Sequence, residues 1–193
     1  FYGTQDGSTD NNIGGLTITN GTTLNYYSID EDLHTYGLLI NSGTLWGNRA
    51  FQYHNTDMPI VDASSDLTVG DNYFYYMPTS SAILSGAATT YHHLTTTAVS
   101  GNTGILYMQG DFTTDGTTYP YSDGEIHLNG HKGTINYFRS YGSGNIIFEA
   151  GSQVNLTSTN GFYLTDGGSE SYITAEGEAS VICATDVAGK AEP

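Results

Sequence analysis

Short stretches of alternating apolar and polar residues recur along the chain, each preceded by a small residue and followed by a turn rich in Asn and Gly. In GLLINSGTLWGN, which begins at Gly37, an apolar run is followed by Asn-Ser-Gly and then by a second short apolar pair. Alternation over a few positions predicts short β-strands with one buried face rather than a helix. The same arrangement begins at six other places, namely Gly15, Asp66, Gly104, Gly124, Gly144 and Gly161.

The spacing of these starting points distinguishes between two all-β architectures. Sandwiches and barrels show turn signals about every 8–12 residues, whereas the coils of a β-solenoid repeat after roughly 20 residues or more. Most of the intervals here are of the second kind, and the long interval from Asp66 to Gly104 fits two units with a hidden strand at Ile83-Leu84 or at Leu94. The pattern therefore predicts an all-β fold, a parallel β-helix (β-solenoid) in which each coil stacks on the previous one.

Equivalent positions of the repeats predict which side chains stack in the core and which point outward. The inward pairs are expected to be Leu16 and Ile18, Leu38 and Ile40, Leu67 and Val69, Ile105 and Tyr107, Ile126 and Leu128, Ile146 and Phe148, and Phe162 and Leu164. The outward side chains are expected to include Thr17, Thr68, His127 and Tyr163. In this register, Leu38 and Ile40 lie directly on Leu16 and Ile18 of the preceding coil.

Turns between the strands are expected to contain residues with a positive φ, because Gly and Asn tolerate that conformation. The turns are expected at Asn20-Gly21, Asn41-Ser42-Gly43, Asn129-Gly130 and Ala150-Gly151. Residues 46–103 depart from the repeat, contain Pro59 and Pro78, and are rich in bulky aromatic residues. We therefore expect irregular, loop-bearing coils in the middle of a single solenoid domain that covers residues 1–193.

Composition agrees with the all-β prediction and excludes several classes of partner. The chain has 25 Gly and 16 Tyr, a formal net charge of −16, and only four basic residues, Arg49, Lys132, Arg139 and Lys190. Nucleic acid is excluded because its phosphates need Lys and Arg, and charge attraction to anionic lipids or uronic-acid polymers is excluded for the same reason. No apolar run approaches the roughly 18 residues of a membrane helix, so we expect no membrane insertion in this segment.

The rhythm of a short strand, Asn-x-Gly and Thr-Leu resembles the passenger regions of autotransporters and of filamentous-haemagglutinin-like exoproteins. The resemblance lies in the stretches Gly37 to Gly47, Gly15 to Asn25, Gly124 to Asn136 and Gly144 to Leu156, about half of the chain. Those families are right-handed parallel β-helices displayed on or released from bacterial cells, and most members are adhesins or structural rods. The resemblance implies a right-handed parallel β-helix at an extracellular or cell-surface location, and it bears on architecture more than on activity.

Parallel β-helices also include pectin-degrading enzymes, whose motifs are only partly matched here. Asn55-Thr56-Asp57 and Gly130-His131 are similar to fragments of polygalacturonase motifs. The paired Asp-Asp of that family is missing, Lys132 stands where a Gly is expected, and the two fragments are too far apart for adjacent coils. We therefore predict that the protein is not an enzyme.

Two groups of residues carry potential metal ligands. Asp30, Glu31 and Asp32 form the densest acidic run, expected in the loop between the first two coils. Hard oxygen ligands on a turn suit Ca²⁺, so this run is a candidate calcium site, with a solvated loop as the alternative and no other cofactor expected. Adjacent His92 and His93 are expected to point to opposite faces of a strand and not to share a metal ion.

Aromatic side chains are the stronger candidates for binding. Adjacent strand positions face opposite ways, so about half of the aromatic residues that flank the irregular segments must face solvent or a loop. The candidates are Tyr73, Tyr75, Tyr76, Tyr119 and Tyr121. Exposed Tyr can stack on sugar rings or anchor protein contacts, and the alternative is that Tyr ladders only stiffen the rod.

These observations predict a non-enzymatic extracellular β-solenoid that acts as a surface adhesin or a structural rod. Its partner is expected to be a glycan or protein on a host or neighbouring cell, or copies of itself. A self-assembling filament or sheath subunit joined end to end is the second hypothesis. A carbohydrate-active enzyme on the same fold is the third.

Overall fold

The computed structural model describes residues 11–26, 32–68, 70–97, 103–121, 123–140, 144–158, 162–164, 172–175 and 180–183. Within these ranges the chain forms β-strands, turns and bends, and every strand pairing is parallel. The same ranges contain no helix of the length and apolar character needed to cross a membrane. The all-β prediction and the predicted parallel β-solenoid are confirmed.

Each turn of the chain contributes short strands to three faces of the solenoid. Face one contains β1 (Asn11–Ile13), β4 (Leu33–Thr35), β7 (Ala50–Tyr53), β9 (Tyr73–Tyr76), β12 (His93–Thr97), the second halves of β14 (Phe112–Tyr121) and β16 (Lys132–Ser140), and β19 (Phe162–Leu164). Face two contains β2 (Leu16–Ile18), β5 (Leu39–Asn41), β8 (Ile60–Val61), β10 (Ala82–Gly86), β13 (Gly104–Met108), β15 (Glu125–His127), β17 (Asn145–Phe148) and β20 (Tyr172–Ala175). Face three contains β3 (Thr23–Asn25), β6 (Thr44–Trp46), β11 (Thr90–Tyr91), the first halves of β14 and β16, β18 (Gln153–Leu156) and β21 (Ser180–Cys183).

The core is built from side chains that stack on their partners in the next coil. On face one, successive partners are Leu33, Phe51, Phe74, Leu94, Thr118 and Phe138, and all of them are buried. The step in sequence between these partners is not constant, being shortest from Leu33 to Phe51 and longest from Leu94 to Thr118. The strands therefore stay in register from coil to coil, and the segments that connect them differ in length.

The predicted inward positions are confirmed for Ile18, Leu67, Ile126, Leu128, Ile146 and Phe148, which are all buried. Leu16 is half-buried and packs against this core. Thr17 is exposed and Thr68 half-exposed, whereas His127 points outward but is covered by its neighbours. Val69 and the side chains of Phe162, Tyr163 and Leu164 lie outside the described part of the chain.

The predicted register is wrong by one residue in two places. Leu16 pairs with Leu39 rather than with Leu38, and Leu39 is fully buried while Leu38 and Ile40 are half-exposed. In β13, Leu106 and Met108 face the core in place of the predicted Ile105 and Tyr107. Both segments carry apolar residues at odd and even positions, so alternation does not decide which set is buried.

Glycine at the corners has two separate structural roles. Positive φ values occur at Gly21, Gly70, Asn129, Gly130 and Gly151, which confirms three of the four predicted turns. Gly43 has no positive φ; it is needed because a Cβ there would overlap the carbonyl oxygen of Thr22 in the preceding coil. Gly144 is similar, since an added Cβ would lie 2.5 Å from the carbonyl oxygen of Pro120.

In the described part of residues 46–103, the irregularity lies on face two and face three. Face three is reduced to isolated bridges, Thr44 with Asp66, Gly47 with Gly70 and Leu67 with Tyr91, and face two is interrupted between β8 and β10. Face one continues through β7, β9 and β12 without a break. The hidden strand predicted between Asp66 and Gly104 is β10 with Ile83 and Leu84, because β10 precedes β13 on face two, whereas Leu94 lies in β12 on face one.

Candidate functional site

Outward-facing tyrosines from successive coils meet on face one. In β9, Tyr73 and Tyr75 point outward while Phe74 and Tyr76 are buried. Two coils further along, Tyr119 and Tyr121 point outward from β14. Tyr73, Tyr75, Tyr119 and Tyr121 are called the tyrosine cluster below. It spans the rungs of β9, β12 and β14, which are consecutive in the stack.

Three members of the cluster hold one another in fixed orientations. The hydroxyl oxygens of Tyr75 and Tyr119 lie 2.8 Å apart and share a hydrogen bond, with the rings perpendicular at 90° and 6.4 Å between centroids. Tyr73 meets both rings edge to face, at 6.2 Å from Tyr75 and 6.5 Å from Tyr119. Thr95, the register partner of Tyr75 and Tyr119, is fully buried. Edge-to-face contacts are favourable for aromatic rings, so the cluster is organised before any ligand binds.

Burial affects the ionisation of three phenols in the cluster. It is the main cause that raises the pKa of Tyr73, Tyr75 and Tyr119, with nearby Asp71 adding to the rise for Tyr73. The charge of Arg139 opposes the rise in the pKa of Tyr73 and of Tyr119. At neutral pH Tyr73, Tyr75 and Tyr119 therefore present ring surfaces and neutral hydroxyl groups.

A cavity of about 190 Å³ opens beside the cluster and is lined by Tyr73, Thr117, Tyr119, Tyr121 and Arg139. Tyr121 is 43% exposed, so its ring forms an accessible wall. Pockets for drug-sized ligands usually measure about 300–1,000 Å³, so this cavity suits a single ring-sized group.

Arg139 reaches the cavity because of the register between β14 and β16. Thr117 pairs with Tyr137 and Thr118 with Phe138, so the next position places Arg139 beside Tyr119. Strand alternation points Phe138 into the core and Arg139 outward. Neither Arg139 nor Thr117 is predicted at this site from the sequence, because their positions depend on a coil-to-coil register that the sequence pattern does not reveal.

Four of the five predicted tyrosines meet at this site, but the prediction for Tyr76 is wrong. Tyr76 is fully buried, and its hydroxyl accepts a hydrogen bond from the Ala87 N–H at 3.1 Å. Tyr91 donates its own proton to the Ala87 carbonyl, so Tyr76 is the donor in the 2.9 Å bond between the two hydroxyls. The reason is alternation within Tyr73–Tyr76, which turns every second ring into the core.

The predicted calcium ligands lie at the edge of the described structure. Asp30 and Glu31 fall outside the described residues. The Asp32 carboxylate accepts hydrogen bonds from the Ala50 N–H at 3.1 Å and from Nε2 of Gln52 at 2.6 Å. In the described residues, the Asp32 carboxylate therefore links two successive coils by hydrogen bonds. Calcium binding by the acidic run stays a prediction.

His92 and His93 lie together, and the prediction that they diverge is wrong. Their ring centroids are 4.2 Å apart, and the ligand atoms of both rings and of Asp71 fall within 4.8 Å of one another. His92 occupies the bend before β12, where strand alternation does not apply. His92 lies between Asp115, at 2.7 Å, and Asp71, at 3.6 Å.

The protons of His93 argue against a metal ion at this cluster. The Thr117 N–H donates to Nδ1 of His93 at 2.8 Å, so Nδ1 is the acceptor nitrogen of this ring. A neutral imidazole then carries its proton on Nε2, which faces Asp71 Oδ1 at 3.1 Å. Nε2 of His93 therefore has no lone pair for a metal. Tyr73 stacks on this ring at 4.1 Å, so the histidine supports the tyrosine cluster from the side.

A larger groove of about 490 Å³ lies where face three is interrupted, and its lining includes Asp62, Asp111 and Lys132. The carboxylates there are engaged with nearby groups. Asp111 accepts the Lys132 N–H at 2.9 Å. Hydrogen bonds with Ser42 and Ser64 are the main causes that lower the pKa of Asp62. A general acid needs a raised pKa, so Asp62 does not suit that role.

The tyrosine cluster is thus the surface in the described residues with the features of a ring-binding site. It offers aromatic surface, neutral hydroxyls and one guanidinium around a small cavity. Comparison with known proteins found no matching protein-family model, no matching curated protein and no matching solved structure.

Proposed function

We propose that the protein is a non-enzymatic extracellular adhesin or structural rod that contacts a glycan through its tyrosine cluster. The observation that supports this proposal is the convergence of outward tyrosines, from strands two coils apart, around one cavity. The solenoid acts as a stiff scaffold because the strands of face one from β4 to β16 are each hydrogen-bonded to the rungs on either side. The extracellular location rests on the resemblance to bacterial surface rods.

The physical basis of glycan contact is the amphipathic ring of tyrosine. A sugar ring has apolar faces of C–H groups and a rim of hydroxyls, and tyrosine presents an apolar face beside a polar hydroxyl. The cluster is already rigid, because Tyr75 and Tyr119 share a hydrogen bond and Tyr73 packs against both. Binding to a rigid site loses little side-chain entropy, which improves affinity.

End-to-end self-assembly is the alternative function. It would use unpaired strand edges at the ends of a stack, whereas the tyrosine cluster lies on the side of the solenoid. The two functions therefore respond to different variants. Binding to immobilised glycans that depends on cluster tyrosines supports adhesion, and concentration-dependent fibres in electron micrographs support assembly.

Replacing Tyr121 by alanine is expected to weaken glycan binding about tenfold or more, because an exposed aromatic anchor at a binding site contributes more than about 1.4 kcal/mol. The measurement is a glycan array, followed by affinity measurements for the glycans retained. Tyr36→Ala is the matched control, since Tyr36 is 46% exposed and lies outside the cluster. Its affinity is expected to equal that of the unmodified protein.

Equal affinity of the Tyr121→Ala and Tyr36→Ala proteins would contradict the proposed site. The same glycan panel also tests the absence of catalysis. Release of reducing ends from any glycan by the unmodified protein would contradict the non-enzymatic part of the proposal.

A further inference from the structure

The cavity beside the tyrosine cluster contains a positive charge in a strongly acidic chain. The formal net charge is −16, and Arg139 is one of four basic residues. It lines the cavity together with three tyrosines and Thr117. Both Tyr73 and Tyr119 feel its charge, since it opposes the rise in their pKa values. Arg139 therefore places a guanidinium group on one side of the cavity.

A guanidinium in a ring-lined cavity selects a particular ligand chemistry. A neutral sugar needs ring surfaces and hydroxyl partners, which the tyrosines and Thr117 already supply. A planar guanidinium matches the two oxygens of a carboxylate, and such paired hydrogen bonds are shorter and stronger than neutral ones. Arg139 thus adds recognition of a carboxylate to a site that already accommodates a ring.

Size and surrounding charge limit the ligand further. The cavity of about 190 Å³ admits one ring rather than an oligosaccharide. Negative charge lies close by, because Asp71 affects the pKa of Tyr73 and Asp32 affects that of Tyr75. A polymer with a carboxylate on every unit would be repelled by these groups and by the net charge of the protein. A ligand with one carboxylate places that charge on Arg139 and brings no further negative charge near the acidic groups.

We infer that the cavity binds a sugar ring carrying one carboxylate, such as a uronic acid at the end of a glycan. The carboxylate pairs with Arg139, and the ring contacts Tyr119 and Tyr121. This inference rests on the proposed function and adds the class of sugar. It agrees with the exclusion of uronic-acid polymers, because recognition depends on one short-range pair and not on attraction to the whole chain.

The test compares glucuronate with glucose as probes, by calorimetric or NMR titration of the intact protein. Glucuronate is expected to bind about tenfold more tightly than glucose. Arg139→Gln is expected to reduce that ratio to about one. Arg139→Lys keeps the charge but loses the planar fork, so its ratio is expected to be intermediate. Arg49→Gln removes an exposed arginine outside the cavity lining and is expected to keep the full ratio.

Other outcomes separate this inference from the proposed function. Equal binding of glucuronate and glucose, with both lost in Tyr121→Ala, would overturn the carboxylate inference and leave the glycan site in place. A preference for glucuronate that persists in Arg139→Gln would also overturn it. If neither sugar binds, the carboxylate inference is overturned. If Tyr121→Ala also leaves binding to the glycan array unchanged, the proposed function is overturned as well. Thermal unfolding of each variant checks the fold, and Arg139→Lys serves as the test variant if Arg139→Gln does not fold.

Discussion

Replacing Phe74 by alanine is expected to lower the free energy of unfolding by about 3–5 kcal/mol, as is usual when a buried aromatic ring is removed from a core. Phe74 is buried at the centre of the ring stack on face one. Its centroid lies 5.3 Å from Phe51, 5.0 Å from Tyr76 and 5.5 Å from Tyr91. Phe51 belongs to the preceding coil, whereas Tyr76 lies in the same strand as Phe74. A cavity here therefore weakens the contact between coils as well as the packing within one coil.

The measurement for Phe74→Ala is equilibrium unfolding in urea, with Ile83→Ala as the control. Ile83 is also an apolar strand residue, but it is 68% exposed. Its replacement is expected to change the free energy of unfolding by no more than about 0.5 kcal/mol. A similar decrease in the free energy of unfolding for Phe74→Ala and Ile83→Ala would contradict the assignment of Phe74 to the core.

Replacing Leu39 by alanine is expected to lower the free energy of unfolding by about 2–5 kcal/mol, because Leu39 is fully buried. Leu38→Ala removes the same side chain one position earlier, from a half-exposed site. Its cost is expected to be well under half as large, because partial exposure leaves less apolar area to lose. The pair is a direct test of register, since Leu39 and not Leu38 lies on Leu16.

The comparison of Leu38→Ala with Leu39→Ala by urea unfolding has a clear contrary outcome. If Leu38→Ala lowers the free energy of unfolding more than Leu39→Ala does, the register predicted from the sequence is correct, and Leu38 and Ile40 both face the core. The outward position of Tyr75 would be unaffected by that result, because face one has its own register.

The spacing of the repeats was sufficient to predict a parallel solenoid, because sandwiches and barrels place turn signals at much shorter intervals. Inward positions were correctly predicted where polar residues separate the apolar ones. Ile126 and Leu128 alternate with Glu125 and His127, so only the alternate positions occupied by Ile126 and Leu128 are suited to face the core. In β13, Ile105, Leu106, Tyr107 and Met108 are all apolar or aromatic, and packing rather than pattern selected Leu106 and Met108.

The tyrosines of the candidate site were predictable, but its charge was not. Tyr73, Tyr75, Tyr119 and Tyr121 stand out in the sequence as aromatic residues that flank the irregular segments. Arg139 enters the cavity only because β16 follows β14 with a particular offset. Coil lengths on face one differ from one step to the next, so the sequence repeat alone cannot place Arg139 next to Tyr119.

Glycan contact through the tyrosine cluster can be observed by fluorine NMR of protein labelled with 3-fluorotyrosine. The tightest-binding glycan from the array is titrated in, and Tyr→Phe variants assign the resonances. Contact through the cluster predicts resonance shifts for Tyr73, Tyr119 and Tyr121 and none for Tyr36 or Tyr107, which lie outside the cavity lining. Shifts at Tyr36 or Tyr107 with an unchanged cluster would contradict it.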